Sequence, residues 1–257
     1  MRRIMAAGMT GALLALAAGP ARAAVKTGEI TFKSGDEEVK GFLAEPEGKG
    51  PFPAVIVIQE WWGLTGWIKE NAKRLAEQGY VALAPDLYRG KVATDPTMAR
   101  RLMSGLPPDR AVRDLKGAVN ELAARDNVDK ARLGSIGWCM GGGYSLQLAL
   151  AEPRLKACVI CYGRPVTDPD RLKPLQAAVL GVFGEEDAGI PPAAVQKFEA
   201  ALKEAGKKVE GIHELKAGHG FMRPGEGAAK NPAYRAGPAK EAWQNIDQFF
   251  AKTLKGK

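Results

Sequence analysis

Cys139 lies at the centre of Gly137-Trp138-Cys139-Met140-Gly141. A nucleophile with glycine two residues away on either side is the pattern of a sharp strand-to-helix turn. Such a turn holds its central side chain exposed on strained backbone, and only glycine flanks let the neighbouring elements close in. A thiol placed there sits at a helix N-terminus, whose amides favour the thiolate and can receive an oxyanion. Acyl transfer by a thiol also needs a base, and the base needs an orienting carboxylate. The chain has two histidines. His213 falls inside an alternating stretch and reads as a structural strand residue. His219 lies between Gly218 and Gly220, in a loop where a base belongs. Asp187 is the preferred carboxylate by position, with Glu185 and Glu186 as neighbouring alternatives. The backbone N–H groups of Met140 and Trp61 are the expected oxyanion donors.

These groups need a rigid frame. Residues 54–58 form an all-apolar run of the kind found in a strand buried on both faces. Further strands are expected over 80–84, 133–136, 157–162, 177–183 and 209–215. Helical spacing marks 68–78, 111–123 and 192–205, and a C-terminal helix carries Ala242, Trp243, Ile246, Phe249 and Phe250 on one side. Residues 30–32 and 39–43 alternate around Ser34-Gly35-Asp36 and predict a hairpin. Strands alternating with helices predict an α/β fold, a mostly parallel sheet with helices on both faces and an N-terminal β-hairpin. In such sheets sites form at the C-terminal ends of strands. Glu60, Cys139, Asp187 and His219 each follow one. The chain order Cys139, Asp187, His219 matches the nucleophile, acid, base order of α/β-hydrolases. We expect one domain over residues 25–257.

Five blocks in order carry a more specific resemblance: Gln59-Glu60-Trp61-Trp62-Gly63, Gly79-Tyr80 leading to Pro85-Asp86-Leu87-Tyr88, Gly137-Trp138-Cys139-Met140-Gly141-Gly142, Asp187, and Gly218-His219-Gly220-Phe221. With them the chain resembles the dienelactone hydrolase family of α/β-hydrolases over essentially all of residues 25–257. The resemblance implies a Cys-Asp-His triad at Cys139, Asp187 and His219, and hydrolysis of lactones or carboxylic esters, dienelactone-type above all, through an acyl-thioester. It also implies that Glu60 contacts the resting thiol and takes its proton when substrate binds. The family holds a substrate carboxylate with arginines. Arg223 matches one, and the second belongs near residues 98–104, where Arg100 and Arg101 stand. Gly220 replaces the family's serine after the catalytic His. Trp61, Trp62, Trp67, Trp138 and Tyr88 are candidates to line a substrate pocket or to pack the core.

Residues 1–23 read as a secretory signal peptide, with a basic start at Arg2 and Arg3, an apolar run, and an Ala21-Arg22-Ala23 cleavage site. Export to the periplasm is expected. Downstream, no run is apolar for long enough to span a bilayer. The formal net charge is +8, but basic residues are interleaved with acids and form no nucleic-acid patch. The expected partner is a small lactone or ester, anionic ones included, acted on by a monomer. No metal or organic cofactor is expected, because neither a His/Cys ligand cluster nor a dinucleotide fingerprint occurs. Cys158 and Cys161 stand three apart in a predicted strand, pointing to opposite faces, and read as buried apolar residues. A thiol redox or peroxide-handling protein, pairing Cys139 with one of them, is the rival reading. A broad-specificity carboxylesterase or thioesterase is another.

Overall fold

The computed structural model describes residues 24–226 and 229–257. The expected signal peptide lies outside the described residues. The chain runs β1 (Val25–Ser34), β2 (Glu37–Pro46), β3 (Phe52–Ile58), α1 (Gly66–Glu77), β4 (Val81–Pro85), α2 (Pro96–Ser104), α3 (Pro108–Ala123) and β5 (Val128–Trp138). It continues through α4 (Met140–Ala151), β6 (Leu155–Cys161), α5 (Pro169–Leu172), β7 (Ala178–Gly184), α6 (Pro192–Glu204), β8 (Val209–Leu215), β9 (Gly225–Glu226), β10 (Ala229–Lys230) and α7 (Ala236–Lys255). Eight strands form one sheet in the order β1-β2-β4-β3-β5-β6-β7-β8. β1 pairs antiparallel with β2, and β2 antiparallel with β4; every pairing from β4 to β8 is parallel. This is the sheet the sequence predicts, hairpin included.

Side-chain alternation divides the core into two layers. Val55, Val57, Ile136, Val159 and Cys161 pack with α1 and α7 on one face, while Ile56, Leu133, Cys158, Ile160 and Phe183 pack with α3, α4 and α6 on the other. Every residue of β4 and β7 is buried, and each large apolar side chain so removed from water contributes about 1.5–3 kcal/mol. Trp138 belongs to this packing, and Trp67 packs on it while also lining a surface cavity. Trp138 is fully buried, with Trp67 at 5.1 Å and Trp243 at 5.9 Å between ring centroids. Cys158 and Cys161 fall in opposite layers, as strand periodicity requires.

The short helices α2 and α5 and the β9–β10 pair went unpredicted by periodicity. In α2 only Ala99 is buried, so no apolar stripe marks it. Its start is set locally: the Asp95 side chain accepts the Met98 N–H at 2.9 Å, and Pro96 opens the first turn.

Candidate active site

β5 delivers Cys139 to the edge of the sheet, and α4 begins at the next residue. Cys139 has φ 55° and ψ −118°, a region that side-chain-bearing residues rarely occupy. The flanking glycines are obligatory there. A Cβ on Gly137 would run into the Gly141 carbonyl, and one on Gly141 into the carbonyls of Ile58 and Gln59. The strain holds the thiol at the mouth of the turn, where the N–H groups of Met140 and Trp61 both donate to its sulfur. Those are the two amides expected to hold an oxyanion.

The thiol itself is not ionised at rest. Burial pushes Cys139 up to about 12, the Glu60 carboxylate adds to the shift, and the two amides only partly oppose it. The helix-terminal field therefore does not by itself create the thiolate that a sequence reading assigns to it. Desolvation and a facing carboxylate outweigh two amide dipoles.

β7 ends in Gly184, and Asp187 follows, 3% exposed. Its Oδ1 accepts the N–H groups of Gly189 at 2.8 Å and Ile190 at 3.1 Å. Its Oδ2 lies 2.6 Å from Nδ1 of His219. With the carboxylate fixed by two backbone donors, Nδ1–H donates to Oδ2 and leaves Nε2 as the proton acceptor. Glu185 and Glu186 are exposed and take no part in this arrangement. His213 lies inside β8, away from it.

β3 delivers Gln59 and Glu60 at its C-terminal end. Glu60 is 4% exposed and acts electrostatically on the Cys139 sulfur. Arg223 reaches back from the His219 loop, its Nε 3.7 Å from Glu60 Oε2 and its guanidinium 5.0 Å over the Trp62 ring. Trp61 meets Trp62 edge to face at 5.1 Å. Gly220 adopts φ 75°, where a serine would be strained, and its carbonyl accepts from Asn231 Nδ2 at 3.0 Å.

Tyr88 reaches the residue that follows Cys139: its hydroxyl donates to Met140 Sδ at 3.3 Å. Arg101 is an exposed residue of α2 that shares a cavity of about 410 Å³ with Tyr88 and Arg110. Neither Arg223 nor His219 borders that cavity.

Two residues at the end of β6 escaped the sequence reading. Tyr162, fully buried and at φ 36°, sets its ring edge-on to His219 at 5.2 Å. Arg164 lines a cavity of about 650 Å³ together with Asp187 and His219. The rule that sites follow strand ends, applied to β6 as it was to the other strands, would have found both. Cys158 and Cys161 are free and fully buried. Burial raises both thiols, Cys161 well above its ordinary value. Protonated, water-excluded thiols are poor resolving partners, which weighs against the redox reading.

The site can therefore present a sulfur nucleophile beside two amide donors, a tautomer-fixed imidazole, and a carboxylate–guanidinium pair. Comparison with known proteins gives the family. The model of the "Dienelactone hydrolase family" matches residues 39–254. A protein of Methylorubrum extorquens named "Putative carboxymethylenebutenolidase" is 35% identical over 237 residues, covering 87% of this chain and 80% of the relative. The crystal structure titled "Putative Dienelactone Hydrolase" from Klebsiella pneumoniae superposes with a TM-score of 0.80 at 33% identity, covering 89% of this chain and 99% of that one. A dienelactone hydrolase-like promiscuous phosphotriesterase, P91, from metagenomic libraries gives a TM-score of 0.81 at 26% identity, covering 90% and 99%.

Proposed function

Because this chain belongs to the dienelactone hydrolase family, has the α/β-hydrolase fold and is a carboxylic ester hydrolase, we propose that it opens dienelactone-type lactones and related esters through an acyl-thioester on Cys139. The observation that carries this reading is the convergence of the Met140 and Trp61 N–H groups on the Cys139 sulfur, with the Asp187–His219 pair at 2.6 Å past the ends of β7 and β8.

In the resting enzyme the thiol keeps its proton and Glu60 faces Arg223. A substrate carboxylate drawn to Arg223 takes the cation from Glu60 and leaves it a stronger base. Glu60 then accepts the thiol proton. The thiolate attacks the carbonyl carbon, and the oxygen charge that develops is held by the Met140 and Trp61 amides. Collapse breaks the bond to the alcohol oxygen and leaves the acyl group on sulfur. His219 Nε2 takes a proton from a water molecule and passes it to the departing oxygen. The hydroxide so formed attacks the thioester, the C–S bond breaks, and the thiolate recovers its proton from Glu60. Asp187 offsets the imidazolium charge while His219 carries the extra proton.

A panel of lactones and aryl esters tests the assignment. Cys139→Ala and His219→Ala should each lower kcat/KM by about a thousandfold or more. Intact mass spectrometry with a slow ester should show one acyl adduct that Cys139→Ala lacks. Undiminished hydrolysis by Cys139→Ala would overturn the nucleophile. We further propose that the enzyme is a periplasmic monomer. N-terminal sequencing of the exported protein should begin near Ala24, and an uncleaved start would refute the signal peptide.

A further inference from the structure

Beside His219 lies an open cavity of about 650 Å³, within the range of small-molecule sites, with Arg164 exposed at it. His219, Asp187, Ile190, Ala194 and Arg164 line it. None of Cys139, Glu60, Arg223 and Trp62 borders it, so it is a different compartment from the one the Arg223 guanidinium occupies. The direction of the chemistry gives it a use. His219 Nε2 must lie against the departing alcohol oxygen to hand it a proton. Whatever is bonded to that oxygen therefore extends on the His219 side, into this space.

The cavity carries one guanidinium, Arg164, and one carboxylate, Asp187. Both oxygens of Asp187 are already committed, Oδ1 to the Gly189 and Ile190 amides and Oδ2 to His219. Among the described residues no ion pair or hydrogen bond engages the Arg164 side chain. Ala194 belongs to the first turn of the 13-residue α6, whose N-terminal end adds positive potential. Apolar lining from Ile190 and Ala194 with one uncommitted guanidinium fits a flat or short apolar group ending in an anion.

We infer that this cavity binds the alcohol side of the substrate and that Arg164 selects esters and lactones bearing a carboxylate there. The inference rests on the reading of His219 as the proton-transfer group. It assigns two separate anion positions: Arg223 beside Glu60, and Arg164 beside His219.

Four esters decide it. The first pair is 4-carboxyphenyl acetate and its neutral carboxamide counterpart, which differ only in alcohol-side charge. The second is phenyl hydrogen succinate and phenyl butanoate, which differ in acyl-side charge. The readout is the kcat/KM ratio within each pair, which cancels any general change in activity. Wild type should favour the alcohol-side carboxylate by roughly threefold to tenfold, as for a partly screened ion pair. Arg164→Gln should bring that ratio to about one while the acyl-side ratio keeps its wild-type value, and Arg164→Lys should retain part of the preference. A wild-type ratio near one, or a preference that survives Arg164→Gln, overturns the proposal. So does an acyl-side ratio that moves as much as the alcohol-side one. Equilibrium titration with 4-hydroxybenzoate and 4-hydroxybenzamide reads the same pocket without turnover, and the same loss of preference is expected in Arg164→Gln. Should Cys139→Ala hydrolyse these esters at the wild-type rate, the nucleophile assignment fails alone, because the charge ratios still report on Arg164.

Discussion

Replacing Glu60 with Gln should make resting Cys139 more reactive and the enzyme slower. Cys139 is displaced from an ordinary thiol value of 9.0 to about 12, which corresponds to roughly 4 kcal/mol against the thiolate. Burial is the largest cause and the Glu60 carboxylate the next, with the Met140 and Trp61 amides pulling the other way. A unit charge several ångströms away at an effective dielectric near 20 accounts for about 1–3 kcal/mol. Taking the low end, neutralising Glu60 returns about 1.4 kcal/mol, or roughly ten times more thiolate at any pH well below the midpoint. Arg223, 3.7 Å from Glu60, would then act on the sulfur without its counter-charge, in the same direction. The assay is pseudo-first-order alkylation by iodoacetamide at pH 8, followed by intact mass. Glu60→Gln should react about tenfold faster than wild type, and the pH midpoint of the alkylation rate should move down. The same preparation should show a lower kcat on esters, because the group that accepts the thiol proton is gone. Alkylation that is unchanged or slower would refute the reasoning, since it would mean that Glu60 does not oppose the thiolate. Faster alkylation with unchanged kcat would show that Glu60 faces the thiol but is not its base.

Three further outcomes follow from particular contacts. Asp187→Asn can keep its oxygen on the Gly189 and Ile190 amides, which turns its NH2 toward His219 Nδ1 and forces the proton to Nε2; kcat should fall by about a thousandfold or more, and a fall of less than tenfold would contradict the tautomer argument. Cys139→Gly removes a side chain from φ 55°, so the inactive variant should gain about 1 kcal/mol and melt about 2–4 °C higher; a lower melting temperature would mean the turn is unstrained. Arg89 donates at 2.7 Å to Asp114, which is fully buried and also accepts the Ser34 hydroxyl at 2.6 Å. Arg89→Met should therefore cost about 3 kcal/mol in urea unfolding, and adding Asp114→Asn should recover part of it; a cost under about 1 kcal/mol would show that the buried carboxylate does not depend on this partner.

Much of this protein is readable along the chain because the relevant physics is local. The glycines around Cys139 declare a turn that tolerates no Cβ, and the structure shows which carbonyls they avoid. Period-two alternation separates Cys158 from Cys161, and they lie in opposite core layers. The run over residues 54–58 announces a doubly buried strand, and β3 is one. Since parallel strands all deliver their C-terminal ends to one edge, Glu60, Cys139, Asp187 and His219 could be named before their distances were known. Asp187 could be preferred over Glu185 and Glu186 only by position; the two backbone amides that hold it made the choice in space.

Other features depend on groups distant in sequence, and folding alone decided them. The Cys139 thiol stays protonated because burial and Glu60, 79 residues away, together outweigh two amide dipoles. No local pattern contains that balance. Arg101 and Arg223 look alike in the sequence, yet one lies in an open cavity with Tyr88 and the other stacks on Trp62 beside Glu60. Tyr162 and Arg164 carry no motif. They stand at the candidate site because β6 lies between β5 and β7 in the sheet, which sets its C-terminal end between Cys139 and Asp187. Residue types and spacing determined which reaction this chain can attempt. Strand order and burial determined how readily the Cys139 thiol ionises and which charges gather around it, because electrostatic energies depend on distance and solvent exclusion that sequence separation does not encode.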